Sequence, residues 1–336
     1  MLKETHHQIR RELEREGAFG VLNLYGALTV LCELTFLAVG LLLLLRVQPF
    51  SVLYWVLQIL FGVAIFRASS LVHECAHSSM FSSKWLNTVF GLLFSPICLI
   101  PYVPYQNVHL AHHKWVGVVD KDPTQIVVLT MTELSGIRKT LMGIIWRGWI
   151  PLPFMAFVIK TYWLYALREF KKGHVSTGWK AVGSMAFAVV PHVLAIVLLG
   201  PVKYLTIYGP MFVLFYLQFE NMYIPQHSKL FPYVSQLRRK PIPYYEQDTI
   251  TRSTYLPRFL SVVLGYYHNL HTEHHLFPTV PWYRLPLVKR KLAAAGDVDY
   301  KEVNFLRFMG AAREHNPVDS YVASLPKRGK VETESL

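Results

Sequence analysis

Apolar and polar positions along this chain fall into long blocks rather than a short period. Residues 1–17 are charged, with opposite signs at helical spacing, and read as a solvated helix whose His6 and His7 lie at the surface. No signal-peptide pattern follows. Residues 19–45 are apolar apart from Glu33. A membrane-spanning helix needs about 20 apolar residues, so this block predicts one. Glu33 near its centre costs about 2.5–3.5 kcal/mol unpaired, and is expected to face protein. A second helix is predicted from Ser51 towards Ser79, with its spanning part at 51–72. At 1.5 Å per residue it is about 43 Å long against a hydrocarbon core of about 30 Å, so His73 and His77 emerge beyond the membrane face.

The apolar stretch 86–103 is interrupted by Pro96 and Pro101, with Pro104 just beyond, and is expected to be re-entrant or interfacial. Residues 141–166 mix apolar positions with Arg147, Lys160 and several Trp and Tyr, a composition suited to the membrane surface. A basic loop at 168–180 leads to two more predicted spans, 181–199 and 204–219, joined by a GPVK turn. The turns at 46–50 and 200–203 hold one basic residue each, whereas the amino terminus, 168–180 and the carboxy-terminal third are rich in Lys and Arg. The positive-inside bias then places both termini on the cytoplasmic side. The expected fold is an all-α integral membrane domain covering 1–336, with four spans in two hairpins. Interfacial helices and a cytoplasmic helical cap, 73–180 and 220–325, complete it, and 326–336 form a frayed tail.

Composition agrees. Hydrophobic residues make up 52% and charged ones only 16%, too apolar for an ordinary soluble protein. The net charge of +13 follows from the positive-inside bias, and nucleic acid is not an expected partner. The three cysteines, Cys32, Cys75 and Cys98, show no metal or redox spacing.

The chemistry lies in histidine. His109, His112 and His113 repeat the spacing of His271, His274 and His275, an HxxHH that puts three imidazoles towards one helix face. His73 and His77 add an i, i+4 pair. Eight such imidazoles exceed one coordination sphere, and a two-metal centre is the economical account. All-imidazole ligation suits Fe, Zn, Cu or Ni, and leaves the metal open. Glu74, Asp120, Asp122 and Glu273 are carboxylates near the boxes, able to accept the second ring N–H of a ligand histidine; Asp120 reads equally well as a solvated charge. His192 reads as a packing residue within a span, and His174 and His315 as surface residues. HECAH (73–77) also fits the zinc-protease pattern HExxH, with Glu74 as general base, but that reading leaves the other histidines without a role.

The boxes HECAH, HLAHH (109–113) and HTEHH (271–275) resemble those of the membrane fatty acid desaturase superfamily. So do DKDP at 120–123 and LFP at 276–278. The resemblance implies a non-haem centre of two iron ions that activates O2 with two external electrons and removes hydrogens from a lipid acyl chain. It also implies a ninth ligand, His227, from the Gln226-His227 pair, whereas His268 is not required by the pattern and is expected to support a ligand imidazole. The superfamily includes hydroxylases and carotenoid ketolases as alternatives to acyl desaturation, towards which the form of box one tilts the reading. No nicotinamide- or flavin-binding motif is present, so electrons are expected from a carrier such as ferredoxin or cytochrome b5. The basic surface of Arg238, Arg239, Lys240, Arg252, Arg258, Lys289, Arg290 and Lys291 is a candidate dock for it, or for anionic lipid headgroups.

Overall fold

The computed structural model describes residues 1–322; the expected tail at 326–336 and the end of the expected cap, 323–325, lie outside the described residues. Helices dominate. The chain runs through α1 (Lys3–Arg15), α2 (Asn23–Leu44), α3 (Val52–Ala76), α4 (Lys84–Cys98), α5 (Tyr102–Trp115) and α6 (Pro123–Leu129). It continues through α7 (Gly136–Arg147), α8 (Leu152–Val158), α9 (Tyr165–Lys171), α10 (Val175–Leu199) and α11 (Pro201–His227). The last part holds β1 (Ser253–Tyr255), α12 (Arg258–Gly265), α13 (His271–Leu276), α14 (Leu285–Ala294), β2 (Glu302–Asn304), α15 (Phe305–Glu314) and α16 (Pro317–Val322). The two strands form a small parallel pair, Ser253 opposite Glu302, which the all-helical expectation did not include.

Among the described residues, α2, α3 and α10 are long and apolar enough to cross a membrane. Their surfaces require an apolar solvent: on α10, Val197 is 74% exposed and Leu198 82%. The predicted span 204–219 lies inside α11, which is long enough but falls short in apolarity, with Tyr204, Tyr208, Tyr216 and Gln218 along it. Two bent pairs, α4 with α5 (104°) and α7 with α8 and the π turn Ile159–Trp163 (106°), would raise the count to five if each is one broken span. The first break falls at Leu99, in a left-handed conformation (φ 51°), just before Pro101.

Helix α3 is the enclosed one, packed by α2, α4, α11 and α12. Small residues allow this. A Cβ at Gly62 would stand 2.8 Å from the Cβ of Leu214, so only glycine permits α11 to approach that closely. Ser51 caps α3, its Oγ accepting the Tyr54 amide at 3.3 Å. Glu33 is 2% exposed and faces protein: its Oε1 lies 2.7 Å from Arg67 Nε and accepts the Tyr266 hydroxyl. His192 is satisfied, donating to the Pro96 carbonyl at 2.7 Å and accepting from the Tyr204 hydroxyl at 2.9 Å. His174 and His315 are exposed.

Three local expectations are corrected. The loop at 168–180 shrinks to residues 172–174, because α9 and α10 close in from either side. The GPVK turn is reduced to Gly200, since Pro201 with its fixed φ already begins α11. His6 is buried rather than at the surface: α1 turns Ile9, Leu13 and His6 inward, and His6 stacks on Phe277 at 4.7 Å with Nε2 3.1 Å from the Leu276 carbonyl.

The Glu33–Arg67 pair makes a stability prediction. Glu33→Leu or Arg67→Leu alone leaves one buried charge unpaired and should destabilise the fold by about 3–5 kcal/mol, while the double substitution should recover most of that. Unfolding in detergent micelles checks it; additive losses in the double variant would contradict it.

Candidate metal centre

Four helix ends meet at one place. His73 is in the last turn of α3 and His77 caps it, while His109, His112 and His113 occupy the last two turns of α5. His227 ends α11, and His271, His274 and His275 make up half of the short α13. A helix carboxy-terminus carries the negative end of its dipole, which favours a cation there.

The nine imidazoles sort into two groups: His73, His77, His109, His113 and His274 in one, His112, His227, His271 and His275 in the other. Within each group one ring nitrogen per residue lies within 4.8 Å of all the others, and all nine residues are buried. The sorting follows from helix geometry. At 100° per residue, positions i and i+4 differ by about 40° in azimuth, while i+3 falls about 60° to the other side. Accordingly 109 and 113 serve one group and 112 the other, and 271 and 275 serve one and 274 the other. An HxxHH box therefore supplies both groups rather than one shared face. The groups adjoin, with the His113 and His275 rings stacked at 4.1 Å.

The nitrogen contacts suit a cation better than hydrogen bonds. In the first group the Nε2 atoms form a run, His73–His274 (3.0 Å), His274–His113 (2.9 Å), His113–His109 (3.1 Å) and His109–His77 (2.8 Å). A neutral ring nitrogen has either one proton or one lone pair, so each can take part in one hydrogen bond. Five atoms in a run then satisfy at most two of the four contacts. In the second group His227 Nε2 meets both His112 (3.1 Å) and His271 (2.7 Å). Here the tautomers are fixed from behind. His112 Nδ1–H donates to Asp122 Oδ2 (2.8 Å), His227 Nδ1–H to the Ile250 carbonyl (3.1 Å) and His275 Nδ1–H to Gln247 Oε1 (2.9 Å). In neutral imidazoles, lone pairs are thus left on the facing Nε2 atoms of His112 and His227, and His275 Nε2 is buried with no hydrogen-bond partner among the described residues. Two nitrogens each about 2.1 Å from a cation at right angles stand about 3 Å apart, so the spacing fits a shared metal.

Charge state agrees. Burial first, and neighbouring imidazoles second, hold His271, His274 and His275 well below the usual histidine range. The same causes bring His227 to about 3. Neutral imidazole is the form that binds metal. Burial pushes Asp122 up, but His112 and the Thr124 hydrogen bonds outweigh it, so its carboxyl sits below its ordinary value. Asp122 also caps α6 through Thr124 N at 2.9 Å.

The remaining candidates separate. Glu74 Oε1 lies 3.4 Å from His73 Nδ1, and its Oε2 accepts Ser79 Oγ (2.9 Å) and the Trp282 amide (3.1 Å). That carboxylate is occupied behind the ligand, not set beside a metal-bound water as a protease base must be. Glu273 is a correction: it is buried but accepts Ser253 Oγ and the Tyr300 hydroxyl, both at 2.6 Å, and meets no box histidine through its carboxylate. Asp120 bonds Ser235 instead. His268 belongs to neither group; it sets its ring edge-on to His73 at 5.2 Å, with Nε2 buried and without a hydrogen-bond partner among the described residues. Gln247 and the Ile250 carbonyl were missed by the sequence reading. Both lie in the 3-10 turn Tyr244–Ile250, where no periodic pattern marks an inward side chain.

The profile of the family described as "Fatty acid desaturase" matches residues 17–305. The chain belongs to the fatty acid desaturase family. Among its relatives, a "Fatty acid desaturase" of Bacillus subtilis (strain 168) is 28% identical over 65% of this chain and 62% of its own length. A "sn-2 acyl-lipid omega-3 desaturase (ferredoxin), chloroplastic" of Helianthus annuus is 26% identical over 69% of this chain and 53% of its own. An "Acyl-lipid omega-3 desaturase (cytochrome b5), endoplasmic reticulum" of Arabidopsis thaliana is 24% identical over 69% of this chain and 61% of its own. The chain thus spans between about half and three-fifths of the length of these relatives. Membership of this family and imidazole clusters able to hold metal fit an iron-type centre.

Gln247 gives the direct test of the supporting layer. Gln247→Leu removes the acceptor that fixes the His275 tautomer and should weaken metal binding by about 10–100-fold. Metal titration of the purified protein measures this, and an unchanged affinity would contradict the assignment.

Proposed function

We propose that this protein is an O2-dependent fatty acyl desaturase with two iron ions held by the nine histidines, His73, His77, His109, His113 and His274 on one and His112, His227, His271 and His275 on the other. The observation that carries the reading is the pair of imidazole groups whose lone pairs face one another with too few protons between them. Family membership supplies the reaction class. When bound, such a centre supplies the chemistry –CH2–CH2– + O2 + 2 e⁻ + 2 H⁺ → –CH=CH– + 2 H2O.

The chain's own residues do the positioning. Asp122, Gln247 and the Ile250 carbonyl hold three Nδ1–H groups and so aim three lone pairs inward. Glu74 ties box one to the segment after box three through Trp282. Tyr105 lies parallel to the His109 ring at 5.4 Å, and its hydroxyl meets that of Tyr223 at 3.2 Å. Beyond them Phe66, Phe154 and Phe219 form an apolar aromatic wall, suited to an alkyl chain and hostile to water.

The membrane arrangement follows from the same parts. α11 with α10 forms the second of two hairpins, α2 with α3 the first, and the four helices span the bilayer with both termini and the histidines on the cytoplasmic side. The asymmetry of Lys and Arg between short turns and long polar segments supports this orientation. Electrons come from an external carrier, since relatives are named for both ferredoxin and cytochrome b5.

Expression in a host lacking the activity, with mass spectrometry of its fatty acids and carotenoids, tests the reaction. A new double bond in an acyl chain is expected; an added hydroxyl or keto group, or no lipid change, would overturn it. His227→Ala should empty iron from the purified protein and abolish turnover. His268→Ala should keep most of the iron and measurable desaturation, about 10–100-fold reduced. The reverse pattern, in variants shown to accumulate normally, would show the ninth ligand to be misassigned. A reporter fused after Leu336 should face the cytoplasm, and its appearance outside would overturn the topology.

A further inference from the structure

Among the described residues, most basic groups of the carboxy-terminal third are already engaged. Lys291 pairs with Glu12 and Glu16 (3.1 and 2.6 Å), Lys289 with Glu302, and Arg258 with the Tyr267 hydroxyl at 3.2 Å. Arg252 donates to the Pro225 carbonyl at 2.9 Å. The segment between α11 and β1 is different. Arg238, Arg239, Lys240, Pro241, Pro243 and Glu246 line an open groove of about 580 Å³. Arg238 spans to Glu246 at 2.9 Å, while Arg239 and Lys240 are exposed and make no ion pair among the described residues. Exposed Leu237 adds an apolar surface within this charged rim, the composition of a protein-docking patch.

What lies beneath the groove decides its use. Between the two stiff prolines Ile242 turns inward, 3% exposed, and its carbonyl accepts Gln247 Nε2 at 3.0 Å. The same Nε2 donates to the His113 carbonyl at 3.0 Å, and Gln247 Oε1 accepts from His275 Nδ1 at 2.9 Å. Ile242, held between the lining residues Pro241 and Pro243, is therefore one side chain away from both imidazole groups: from the ring of a histidine in one and the backbone of a histidine in the other. Val116, Val118, Ile242 and Ile250 form a dry cluster around this link.

We propose that this groove docks an acidic, soluble one-electron carrier protein, and that electrons reach the metal centre through the Ile242 carbonyl and Gln247. Each docking oxidises one reduced carrier and delivers one electron, and two dockings supply the two electrons of the reaction above. The inference rests on the desaturase reading. It commits to a protein because two exposed cations with no ion pair among the described residues lie on a concave patch linked through Ile242 and Gln247 to the histidines, a connection that an anionic lipid headgroup has no use for.

The test compares the unsubstituted protein, Arg239→Glu/Lys240→Glu, and Arg307→Glu as a control at an exposed cation outside the groove and outside the basic surface named above. Each, loaded with iron in detergent, is mixed with reduced plant-type ferredoxin and, separately, with the reduced soluble domain of cytochrome b5, and carrier oxidation is followed by stopped flow. The double variant should lose about tenfold or more in second-order rate at low salt with at least one carrier, and its salt dependence should flatten. Arg307→Glu should behave as the unsubstituted protein, and turnover driven by dithionite should be equal in all three. Unchanged carrier oxidation in the double variant overturns the proposal. So does a variant that keeps its carrier rates but loses binding to phosphatidylglycerol vesicles, which would make the groove a lipid site. So does failure of the unsubstituted protein to oxidise either carrier. If dithionite yields no double bond in the unsubstituted protein, the desaturase reading fails, and the carrier oxidation rates still judge the groove separately.

Discussion

Lone pairs that face each other across about 3 Å in a buried space repel unless a cation lies between them, and this constraint organises the molecule. His112 and His227 illustrate it most cleanly, since an acceptor behind each ring takes the only proton a neutral imidazole has. Water cannot relieve the conflict at that distance. Protonation cannot either, since burial and the neighbouring rings hold His227 at about 3. A cation held there would couple metal binding to local folding, because the same four helix ends bring these imidazoles together.

The scaffold serves that meeting point. α3 brings box one to the centre and is itself anchored at three points, to α11 by the close approach at Gly62 and by Gln58 Nε2 to the Ile207 carbonyl at 3.0 Å, and to α2 by Arg67 to Glu33. Arg67 also donates to the Val263 carbonyl at 3.2 Å, and Tyr266 reaches the same Glu33. A charge pair inside the apolar layer thus fastens the first two helices to the segment that leads into box three. On the far side, α1 packs His6 on Phe277 directly after that box. Box three is held between α1, α2 and its own supporting turn.

The sequence made some of this legible and hid the rest for physical reasons. The long apolar blocks at 19–45, 51–72 and 181–199 appear as helices that can cross a membrane, because length and apolarity alone decide that property. The block at 204–219 became part of a longer helix whose tyrosines and glutamine dilute its apolar signal. The histidine spacing marked eight of the nine residues that converge, since i, i+3 and i+4 have fixed azimuths on a helix, and only the family resemblance pointed to the ninth, His227. It did not reveal how they divide, which depends on helices crossing from different directions. Glu273 looked like Glu74, yet one carboxylate turned towards Ser253 and Tyr300 and the other towards a ligand ring. Gln247 carried no signal because its turn has no period. His6 looked solvated because the partner that buries it, Phe277, lies far away in sequence.

Anomalous diffraction at the iron edge from iron-loaded crystals tests the central claim most directly. Two separate peaks are expected, one bonded to His73, His77, His109, His113 and His274, the other to His112, His227, His271 and His275. A single peak, or a peak bonded to His268 in place of His227, would contradict it.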